Sequence, residues 1–503
     1  MTLTTNHYDL IVLGSDVAGL LAAAHTAQRG RRVLVIPIRP ITARYKLGQD
    51  TFSLDCAPLV HLTSPTVRRS CEDLALWTQL RREVRPAGRF VHWILPNGRL
   101  DLATGASNLV TESIREWPGA DVEAAWSGCA THAASADEVL DGVLGTDGAL
   151  SSERFWVRRF LERSGSGLPG AAVDEFDPLP KTHALRVYAH AAAPWLLGLT
   201  PDQLGKAASL RLWGMWSRGP SDRSDGISGL RDLLIARIAL KSGEIKPGLR
   251  VAEVLLKRGK VIGVNLLGRG ERYGCDHLIV ADDPRTLLGG PLVPEQIPRP
   301  LARTLAGIET PAAKYLMHVR VGPRGLGPGL DGIAICVTDD PAGRGIGNTY
   351  VRTGRVREDG SRDLSITRII NADAPLSELR EQVLAELDDR GVLPFARPHI
   401  RLIHSPHDGR AATDGEGRAR ADLGPDSAMR LPMSALYRSQ GTPTLGVGVL
   451  PTATGVRNLF LACHLNFPGL GLEGEFAAGH AAANLVAPPS RGSLGRASFL
   501  RRS

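Results

Sequence analysis

The chain has 503 residues, which is too long for one simple core, so we expect two or three domains. Apolar residues make up 43% and charged residues 22% of the sequence, a balance typical of soluble globular proteins. The net charge is +8, but the basic residues are scattered except near the C-terminal end. Because no basic helix or patch of interleaved aromatic and basic residues occurs, the sequence argues against nucleic-acid binding.

The cysteines and the apolar segments bear on the compartment. None of the six cysteines lies in C-x-x-C spacing, so neither a zinc site nor a thioredoxin-like motif is predicted. No apolar run reaches the roughly 20 residues of a spanning helix, and Asp16 interrupts the first apolar stretch, which is unlike a signal peptide. We therefore expect a cytoplasmic protein with free thiols. The Arg-rich tail 487–503 predicts disorder or, as the alternative, a peripheral contact with an anionic membrane surface.

The first element is a βαβ unit of the Rossmann type. A continuous apolar strand, Tyr8–Leu13, leads into the turn Gly14–Gly19, and an Ala- and Leu-rich helix follows to about Gln28. The second strand is Val33–Ile36. This order of strand, glycine turn, helix and strand predicts a dinucleotide-binding fold.

The glycine turn of this unit lacks one of its three expected glycines. In G-x-G-x-x-G the first glycine makes the turn, the second lets the backbone approach a pyrophosphate, and the third packs helix on strand. Gly14 and Gly19 are present, the second position is Asp16, and the acid expected after the second strand is Pro37. A carboxylate about 4 Å from a phosphate charge costs roughly 4 kcal/mol. Two hypotheses remain open here: a flavin nucleotide that binds despite this defect, or a βαβ unit that serves only as scaffold.

The next elements predict a hairpin and then a mainly helical insert over about 106–224. Asn97-Gly98 is the turn between strands Phe90–Leu95 and Arg99–Leu102. The predicted helices of the insert are Ser107–Trp117, Ser152–Ser164, His183–Leu197 and Pro201–Gly214, with a loop over Pro169–Pro180. The insert carries Trp156, Trp195, Trp213 and Trp216, which we expect mostly in the core, with some lining an apolar tunnel.

The α/β alternation then resumes. The predicted elements are a helix over Gly226–Lys241, a strand pair within 244–256, strands over 260–267 and 276–281, a helix over Ser377–Arg390, a strand over 458–462 and a helix over Gly474–Val486. Stretches 322–332 and 405–427, rich in Gly and Pro, are predicted loops.

Several polar residues are candidates for chemistry, each with a structural alternative. We expect His404 and His407 to be solvated in a loop, and Asp282-Asp283 to form a strand-to-turn junction rather than a metal site. The pairs Asp222/Asp225 and Asp339/Asp340 are expected to cap turns. His464 is either a polar residue at a strand end or a neighbour of a bound flavin. No metal site and no catalytic acid or base is predicted.

Three separated segments carry a resemblance to a known family. They are the N-terminal unit with Phe52-Ser-Leu-Asp-Cys-Ala-Pro, the stretch from Asp225-Gly-Ile-Ser-Gly-Leu-Arg-Asp to Leu278-Ile-Val-Ala-Asp-Asp-Pro, and Asn458-Leu-Phe-Leu-Ala-Cys-His-Leu-Asn-Phe-Pro-Gly-Leu-Gly-Leu-Glu-Gly. In this order the chain resembles the phytoene desaturase and carotenoid isomerase branch of the FAD-dependent amine oxidase-like flavoproteins.

The resemblance implies an α/β protein in which a discontinuous, Rossmann-like FAD/NAD(P)-binding domain holds an inserted, mixed α+β substrate domain. The implied bounds are 1–105, 225–290 and 440–486 for the FAD-type domain, 106–224 and 291–439 for the substrate domain, and 487–503 for the tail. It also implies an FAD-dependent oxidoreductase that removes hydride from a long apolar polyene or lipid-like substrate.

The resemblance further implies which residues contact FAD. Gly14, Ser15, Asp16 and Gly19 would lie at the pyrophosphate, Arg39 in the segment after the second strand, Val251 at the adenine, and Cys463, His464, Gly469, Gly471 and Leu472 near the ribityl chain and flavin ring.

The chain departs from the family pattern at five points. They are Asp16, Pro37, the segment Arg39–Arg44 in place of Gly-Gly-Arg, Ala57-Pro58 in place of Gly-Pro, and Cys463-His464 in place of Gly-Asp or Gly-Ala. The departures at 16, 37 and 464 favour a rival hypothesis, whereas the glycines that are kept and the segment 225–284 favour the enzyme. The rival is a non-catalytic, cofactor-free protein that binds a lipid or a lipidated partner, as Rab GDP-dissociation inhibitors do within this fold. A third hypothesis, an NAD(P)-using reductase, is disfavoured by Pro37.

Overall fold

The structure is a computed structural model. It describes residues 6–59, 62, 64–87, 90–103, 108–144, 176–180, 183–218, 220–223, 225–268, 271–287, 290–292, 296–327, 330, 332–339, 345–424, 427–441 and 443–488. The predicted helix Ser152–Ser164, Trp156, Asp340 and almost all of the tail therefore lie outside the described residues, and the predictions made for them stay predictions.

The described α-helices are α1 (Val17–Gln28), α2 (Pro65–Asp73), α3 (Trp77–Glu83), α4 (Asn108–Glu116), α5 (Ala120–Leu144), α6 (Ala184–Ala191), α7 (Ala193–Leu196), α8 (Lys206–Ser217), α9 (Gly226–Leu240), α10 (Arg299–Ala306), α11 (Leu379–Asp389) and α12 (Gly471–Val486).

The described strands are β1 (Asn6–Gly14), β2 (Val33–Ile36), β3 (Arg44–Leu47), β4 (Asp50–Ser53), β5 (Val84–Pro86), β6 (Phe90–Leu95), β7 (Gly98–Ala103), β8 (Ser221–Arg223), β9 (Glu244–Ile245), β10 (Val251–Lys257), β11 (Lys260–Leu266), β12 (Arg272–Ala281), β13 (Ile308–Val321), β14 (Gly332–Cys336), β15 (Thr349–Val356), β16 (Arg362–Asn371), β17 (Ile400–His404), β18 (Ser434–Ser439) and β19 (Leu459–Leu461).

The first sheet has seven strands in the order β10-β11-β12-β1-β2-β9, and β19 pairs with the end of β12. Strands β19, β12, β1, β2 and β9 run parallel, so their carboxyl ends meet at one edge. Side chains of β1 and β2 are buried on both faces, as expected for parallel strands covered by helices. The predicted N-terminal βαβ unit is confirmed.

The second sheet has eight strands in the order β17-β13-β16-β15-β14-β6-β7, with β18 on β13. The predicted hairpin around Asn97-Gly98 is confirmed as β6 and β7, in which Leu95 faces Gly98. Lys314 and Ser434 pair across β13 and β18. These two strands lie near the carboxyl edge of the first sheet, so the two sheets together form the walls of the site described below.

One predicted pairing of strands is wrong, and one helix was not predicted. The predicted strand pair within 244–256 does not form, because β9 pairs with β2 whereas β10 pairs with β11, at opposite edges of the sheet. Both segments carry strand propensity, but their partners are distant in sequence. Helix α5 was not predicted, since its apolar residues are mostly Ala in a polar sequence and give a weak period.

Within the described ranges, no helix combines the length and the apolar composition that crossing a bilayer requires. All six cysteines are free thiols, and each is buried.

Candidate functional site

A cavity of about 370 Å³ lies at the carboxyl edge of the first sheet, where the second sheet covers it. In open α/β sheets this edge is the usual ligand site. Its polar lining includes Asp16, Asp283, His464, Tyr437 and Lys314. Its apolar lining includes Trp195, Leu196, Leu316, Met433 and Leu472.

The two glycines kept in the N-terminal turn are required by packing. Gly14 has a φ of +110°, and a Cβ there would lie 2.4 Å from the carbonyl oxygen of Ala281. A Cβ on Gly19 would lie 2.0 Å from the Cβ of Ala281, so helix α1 could not rest on strand β12. Packing alone therefore explains both glycines, and their presence does not show that a nucleotide binds at the N-terminus of α1.

The second glycine position of the motif holds an acid, Asp16, that pairs with His464. Oδ2 of Asp16 lies 2.5 Å from Nδ1 of His464 and also accepts the backbone N–H of His464 at 3.4 Å. Burial raises the pKa of Asp16, but the charge of His464 and its hydrogen bonds outweigh burial and hold that pKa below its ordinary value. Burial lowers the pKa of His464, yet Tyr437 and Asp16 raise it well above its ordinary value. The pair is therefore ionic near neutral pH.

A second carboxyl reaches the same helix end. Oε2 of Glu475, near the N-terminus of α12, accepts the backbone N–H of Ala18 at 3.2 Å. This N–H is one of the groups that an anion at the N-terminus of α1 would use. Burial and the nearby charge of Asp16 raise the pKa of Glu475 to about 7. The positive end of α1 is thus occupied by acids of the chain itself.

Arg231 on α9 supplies positive charge beside these acids. Its guanidinium lowers the pKa of both Asp16 and Glu475. Its Nε is buried and has no hydrogen-bond acceptor among the residues that the structure describes. A buried donor without an acceptor costs about 1–3 kcal/mol, so an anionic ligand oxygen near Arg231 would be favoured.

Tyr437 on β18 extends the Asp16–His464 pair into the cavity. Its Oη lies 2.9 Å from Nε2 of His464, and the two rings stack with centroids 5.2 Å apart. The guanidinium of Arg285 lies 5.2 Å from the centre of the Tyr437 ring. Asp283 holds Arg285 through hydrogen bonds of 3.0 Å from Nε to each carboxylate oxygen. These contacts fix the phenol hydroxyl against positive charge.

Lys314 is a further basic group of the cavity wall. Its Nζ donates to the carbonyl oxygens of Trp195 at 2.7 Å and Leu197 at 3.1 Å. Burial lowers the pKa of Lys314 to about 8, and Asp55 raises it only partly. Lys314 therefore adds a cation whose near contacts are backbone carbonyls.

The predicted FAD contacts divide into residues that line the cavity and residues that do not. Asp16, Arg39, His464, Gly471 and Leu472 line it. Gly14, Ser15, Gly19, Val251, Cys463 and Gly469 are not part of its lining.

Nη2 of Arg39 lies 3.3 Å from Oδ1 of Asp282, and the Arg39 side chain is half-exposed. Val251 lies in β10, three strands away from β1 in the sheet. Cys463 is fully buried, which raises the pKa of its thiol to about 12. Gly471 has a φ of +53°, and a Cβ there would lie 2.4 Å from the carbonyl oxygen of Leu196.

The prediction of solvated His404 and His407 is wrong. His404 ends β17, and its Nδ1 and Nε2 contact Tyr45 Oη at 3.0 Å and the Ser427 carbonyl oxygen at 2.7 Å. His407 is buried and lines the cavity, with Nδ1 2.8 Å from the carbonyl oxygen of Leu431. Their Gly- and Pro-rich surroundings suggested a surface loop, whereas this loop packs against the second sheet.

The acidic pairs follow the predictions in part. Asp282 and Asp283 form the predicted junction after β12, and both are buried. Asp222 lies in β8 and pairs with Arg352, so the prediction of a turn cap is wrong for it. Trp195 and Trp216 are buried, as predicted.

One group of potential metal ligands exists in the described chain, away from the cavity. His25, Asp73 and His480 place ligand atoms within 4.8 Å of one another. Burial lowers the pKa of His25 most, and the positive charges of His480, Arg29 and Arg69 lower it further. Those guanidiniums oppose a bound cation, and the absence of a metal site stays a prediction.

The residues at the N-terminus of α1 do not fit the pyrophosphate of FAD. The position where the backbone would approach the phosphates holds the Asp16 carboxylate, and the carboxyl of Glu475 bonds the N–H of Ala18. Two acids at this point oppose a dianion, even with His464 and Arg231 beside them. The carboxyls of Asp16 and Glu475 therefore argue against FAD as the ligand of this site.

The site residues that sequence reasoning missed are Arg231, Glu475, Tyr437, Lys314 and Arg285. Glu475 gave a usable signal, since it lies with Glu473 in a helix that is rich in small, buried residues. Lys314 gave a similar signal within the largely apolar strand β13. The other three lie in ordinary polar patterns and meet only in the folded chain.

Comparisons with known proteins show the fold alone. No protein-family model and no curated protein matches the chain. An oxidoreductase from Methanosarcina mazei matches with a TM-score of 0.56 at 15% identity, over 95% of this chain and 99% of that one. Cyclohexylamine oxidase from Brevibacterium oxydans gives 0.56 at 15%, over 97% and 100%. Putrescine oxidase bound to putrescine gives 0.55 at 14%, over 96% and 100%. The chain thus has the Rossmann-type fold of FAD-binding oxidoreductases with an inserted substrate domain.

Proposed function

We propose that this protein binds a small, lipid-like molecule in its cavity without FAD, as a cofactor-free member of the FAD-oxidoreductase fold. One observation carries the proposal: the carboxyls of Asp16 and Glu475 stand at the N-terminus of α1, where a dinucleotide would place its pyrophosphate. We therefore expect a ligand that carries no pyrophosphate.

The substitutions at this point complement one another. Asp16 replaces a glycine of the first motif, and His464 replaces a small or acidic residue of the last motif. The two side chains then form an ion pair with each other and, through His464, reach Tyr437. Asp16 and His464 therefore satisfy each other's hydrogen bonds, and the Nε of Arg231 remains as a buried donor that a ligand oxygen could pair with.

The cavity walls define the ligand. Trp195, Leu196, Leu316 and Leu472 supply apolar surface for a hydrocarbon body. The polar side offers donors at Tyr437, Lys314 and Arg231. A volume of about 370 Å³ lies within the range of small-molecule sites. We therefore assign the site to an amphipathic molecule with an oxygen-bearing head.

An absorption spectrum and an FAD titration test the proposal. Freshly purified protein should be colourless and should take up no added FAD. The double variant Asp16→Gly/Glu475→Ala removes both acids and should bind FAD at least about tenfold more tightly, which corresponds to ~1.4 kcal/mol. The double variant Asp276→Gly/Glu253→Ala changes two exposed acids outside the cavity and should behave like the wild type.

Yellow protein that releases FAD on denaturation would overturn the proposal. Mass spectrometry of an organic extract of the native protein provides the second measurement. A lipid that co-purifies with the wild type, and that is absent from an extract of the Leu472→Arg variant, supports cofactor-free binding.

A second candidate is an FAD-dependent oxidoreductase for apolar, polyene-like substrates, as in the phytoene desaturase branch. The position of the cavity favours it, since the cavity lies at the carboxyl edge of a sheet whose turn keeps Gly14 and Gly19. This function requires the Glu475 carboxyl to leave the N–H of Ala18 when FAD binds. The same titration decides between the two candidates, because only the oxidoreductase predicts saturable FAD binding by the wild type.

A further inference from the structure

We propose that Tyr437 and His464 form an oxyanion site, which binds the enolate- or phenolate-type oxygen of a ligand with an apolar body. This inference rests on the cofactor-free binding proposed above and names the chemical class of the ligand. It assigns a role to the two substitutions, Asp16 and His464, that set this chain apart from the family it resembles.

The hydrogen-bond order makes Tyr437 the terminal donor. Asp16 can only accept, so Nδ1 of His464 carries a proton in the contact of 2.5 Å. In the imidazolium, Nε2 also carries a proton and donates it to Oη of Tyr437 at 2.9 Å. The hydroxyl proton of Tyr437 is then directed away from His464. Since Tyr437 lines the cavity, a ligand oxygen there can accept this proton in a hydrogen bond.

The surroundings keep His464 cationic. Four acids interact with it, from the turn before α1, the end of β12 and the N-terminal part of α12: Asp16, Asp282, Asp283 and Glu475. The Cys463 thiol is next to it in the chain and stays protonated.

The nearby cations are themselves paired with acids among the described residues: Arg285 with Asp283 and Arg39 with Asp282, while Arg231 interacts with Asp16 and Glu475. The direct contact between Asp16 and Nδ1 of His464 therefore favours the imidazolium over neutral imidazole.

Arg285 completes the site. Its guanidinium lies 5.2 Å from the Tyr437 ring centre, and Asp283 fixes it there. Donors that are held in place and backed by positive charge favour an oxyanion over the neutral hydroxyl or carbonyl form. A phosphate fits less well than a singly charged oxygen, because Asp16 and Glu475 also line the cavity and repel its second charge.

The pKa of bound para-nitrophenol tests the site, because its phenolate is yellow and its phenol is colourless. Saturating wild-type protein should lower the apparent pKa of the probe by at least about one unit, a tenfold preference for the phenolate. Tyr437→Phe should abolish the shift. His464→Gln keeps hydrogen-bonding groups beside Asp16 and Tyr437 but carries no charge, so it should lose most of the shift. It serves in place of Tyr437→Phe should that variant not fold.

Tyr8→Phe is the matched control, since the Tyr8 hydroxyl bonds Glu244 at 3.1 Å outside the cavity. It should shift the probe as the wild type does. A probe that does not bind, that binds without a shift, or that shifts equally with His464→Gln would overturn the oxyanion site and leave cofactor-free binding standing. Displacement of the probe by FAD in the titration would instead contradict the proposed function itself.

Discussion

Asp16 and His464 are 448 positions apart in the sequence, yet Oδ2 of Asp16 lies 2.5 Å from Nδ1 of His464. The contact joins the first turn of the chain to the segment that follows the last strand, β19. It therefore lies at the carboxyl ends of β1 and β19, which both pair with β12.

Asp16→Asn should lower the pKa of His464 and destabilise the fold. His464 has a raised folded-state pKa, so its contribution is full below its unfolded pKa of about 6.5 and is lost as pH rises through the folded value. Asp16 has a lowered folded-state pKa, so its contribution is full above about 3.9 and is lost as pH falls through the folded value. We expect a loss of about 3 kcal/mol between roughly pH 4 and 6.5.

Histidine NMR and urea unfolding measure these two effects. Asp276→Asn is the control, because Asp276 contacts His7 at 3.1 Å at an exposed position. It should change the free energy of unfolding by less than about 1 kcal/mol. An unchanged titration of His464 in Asp16→Asn would contradict the ion pair.

Glu475→Gln should stabilise the protein at alkaline pH. The pKa of Glu475 is raised to about 7, so the folded state holds this proton more tightly than the unfolded state does. The wild type therefore loses stability as pH rises from about 4.5 to 7, by up to about 3 kcal/mol. Glutamine can still accept the N–H of Ala18 and does not ionise. The variant should match the wild type near pH 4 and exceed it at pH 8 in urea unfolding.

Glu473→Gln is the matched comparison two residues away on α12. Glu473 is fully buried and pairs with Arg211, its Oε1 lying 2.7 Å from Nη2. Removing its charge should destabilise the fold at pH 8, opposite in sign to Glu475→Gln. The same sign for both variants would show that Glu475 is ionised and paired like its neighbour.

The fold was predictable where the pattern is local. The unit Tyr8–Ile36 combines a continuous apolar strand, a helix of small residues and a second strand within one short segment, and the structure confirms each of them. The pairing of β9 with β2 was not predictable, because a strand of two residues chooses its partner by position in the folded sheet. The local sequence pattern thus identifies helices and strands, whereas contacts between distant segments decide which strands pair.

The site was predictable only where motifs mark it. Asp16 and His464 drew notice because they stand where glycine and small residues are expected, but nothing in the sequence indicated that they pair. Tyr437 follows Ala435 and Leu436 in an ordinary strand, and its role depends on its contact with His464 in the segment after β19. Asp282 and Asp283 were placed correctly because an apolar strand ends just before them.

Arg380→Met should cost about 3–5 kcal/mol of stability. Arg380 is buried, and its Nε and Nη2 donate to Asp408 at 2.6 and 2.8 Å. The substitution leaves the Asp408 carboxylate buried with weaker partners. Arg397→Met is the control, since the half-exposed Arg397 pairs with Glu381 at 2.6 Å and should contribute less than about 1 kcal/mol. Equal urea midpoints for the two variants would refute the importance of burial.

Gly19→Ala and Gly142→Ala should change stability in opposite directions, although both place alanine in a helix. A Cβ on Gly19 would lie 2.0 Å from the Cβ of Ala281 and 3.2 Å from Cγ1 of Val12. Helix α1 would have to move off β12, and such overpacking costs about 1–3 kcal/mol. Gly142 on α5 has no described atom within 4 Å of its added Cβ, so the helix preference for alanine should add up to about 1 kcal/mol.

Urea midpoints of the two glycine variants, taken with unchanged m-values, measure this difference. A Gly19→Ala protein as stable as the wild type would mean that α1 tolerates a looser approach to β12. The third position of the glycine motif would then be free of the packing constraint. If Gly19→Ala destabilises the protein and the wild type binds no FAD, Gly14 and Gly19 serve packing only. The motif would then not bind a nucleotide, because Asp16 replaces the glycine that would contact the pyrophosphate.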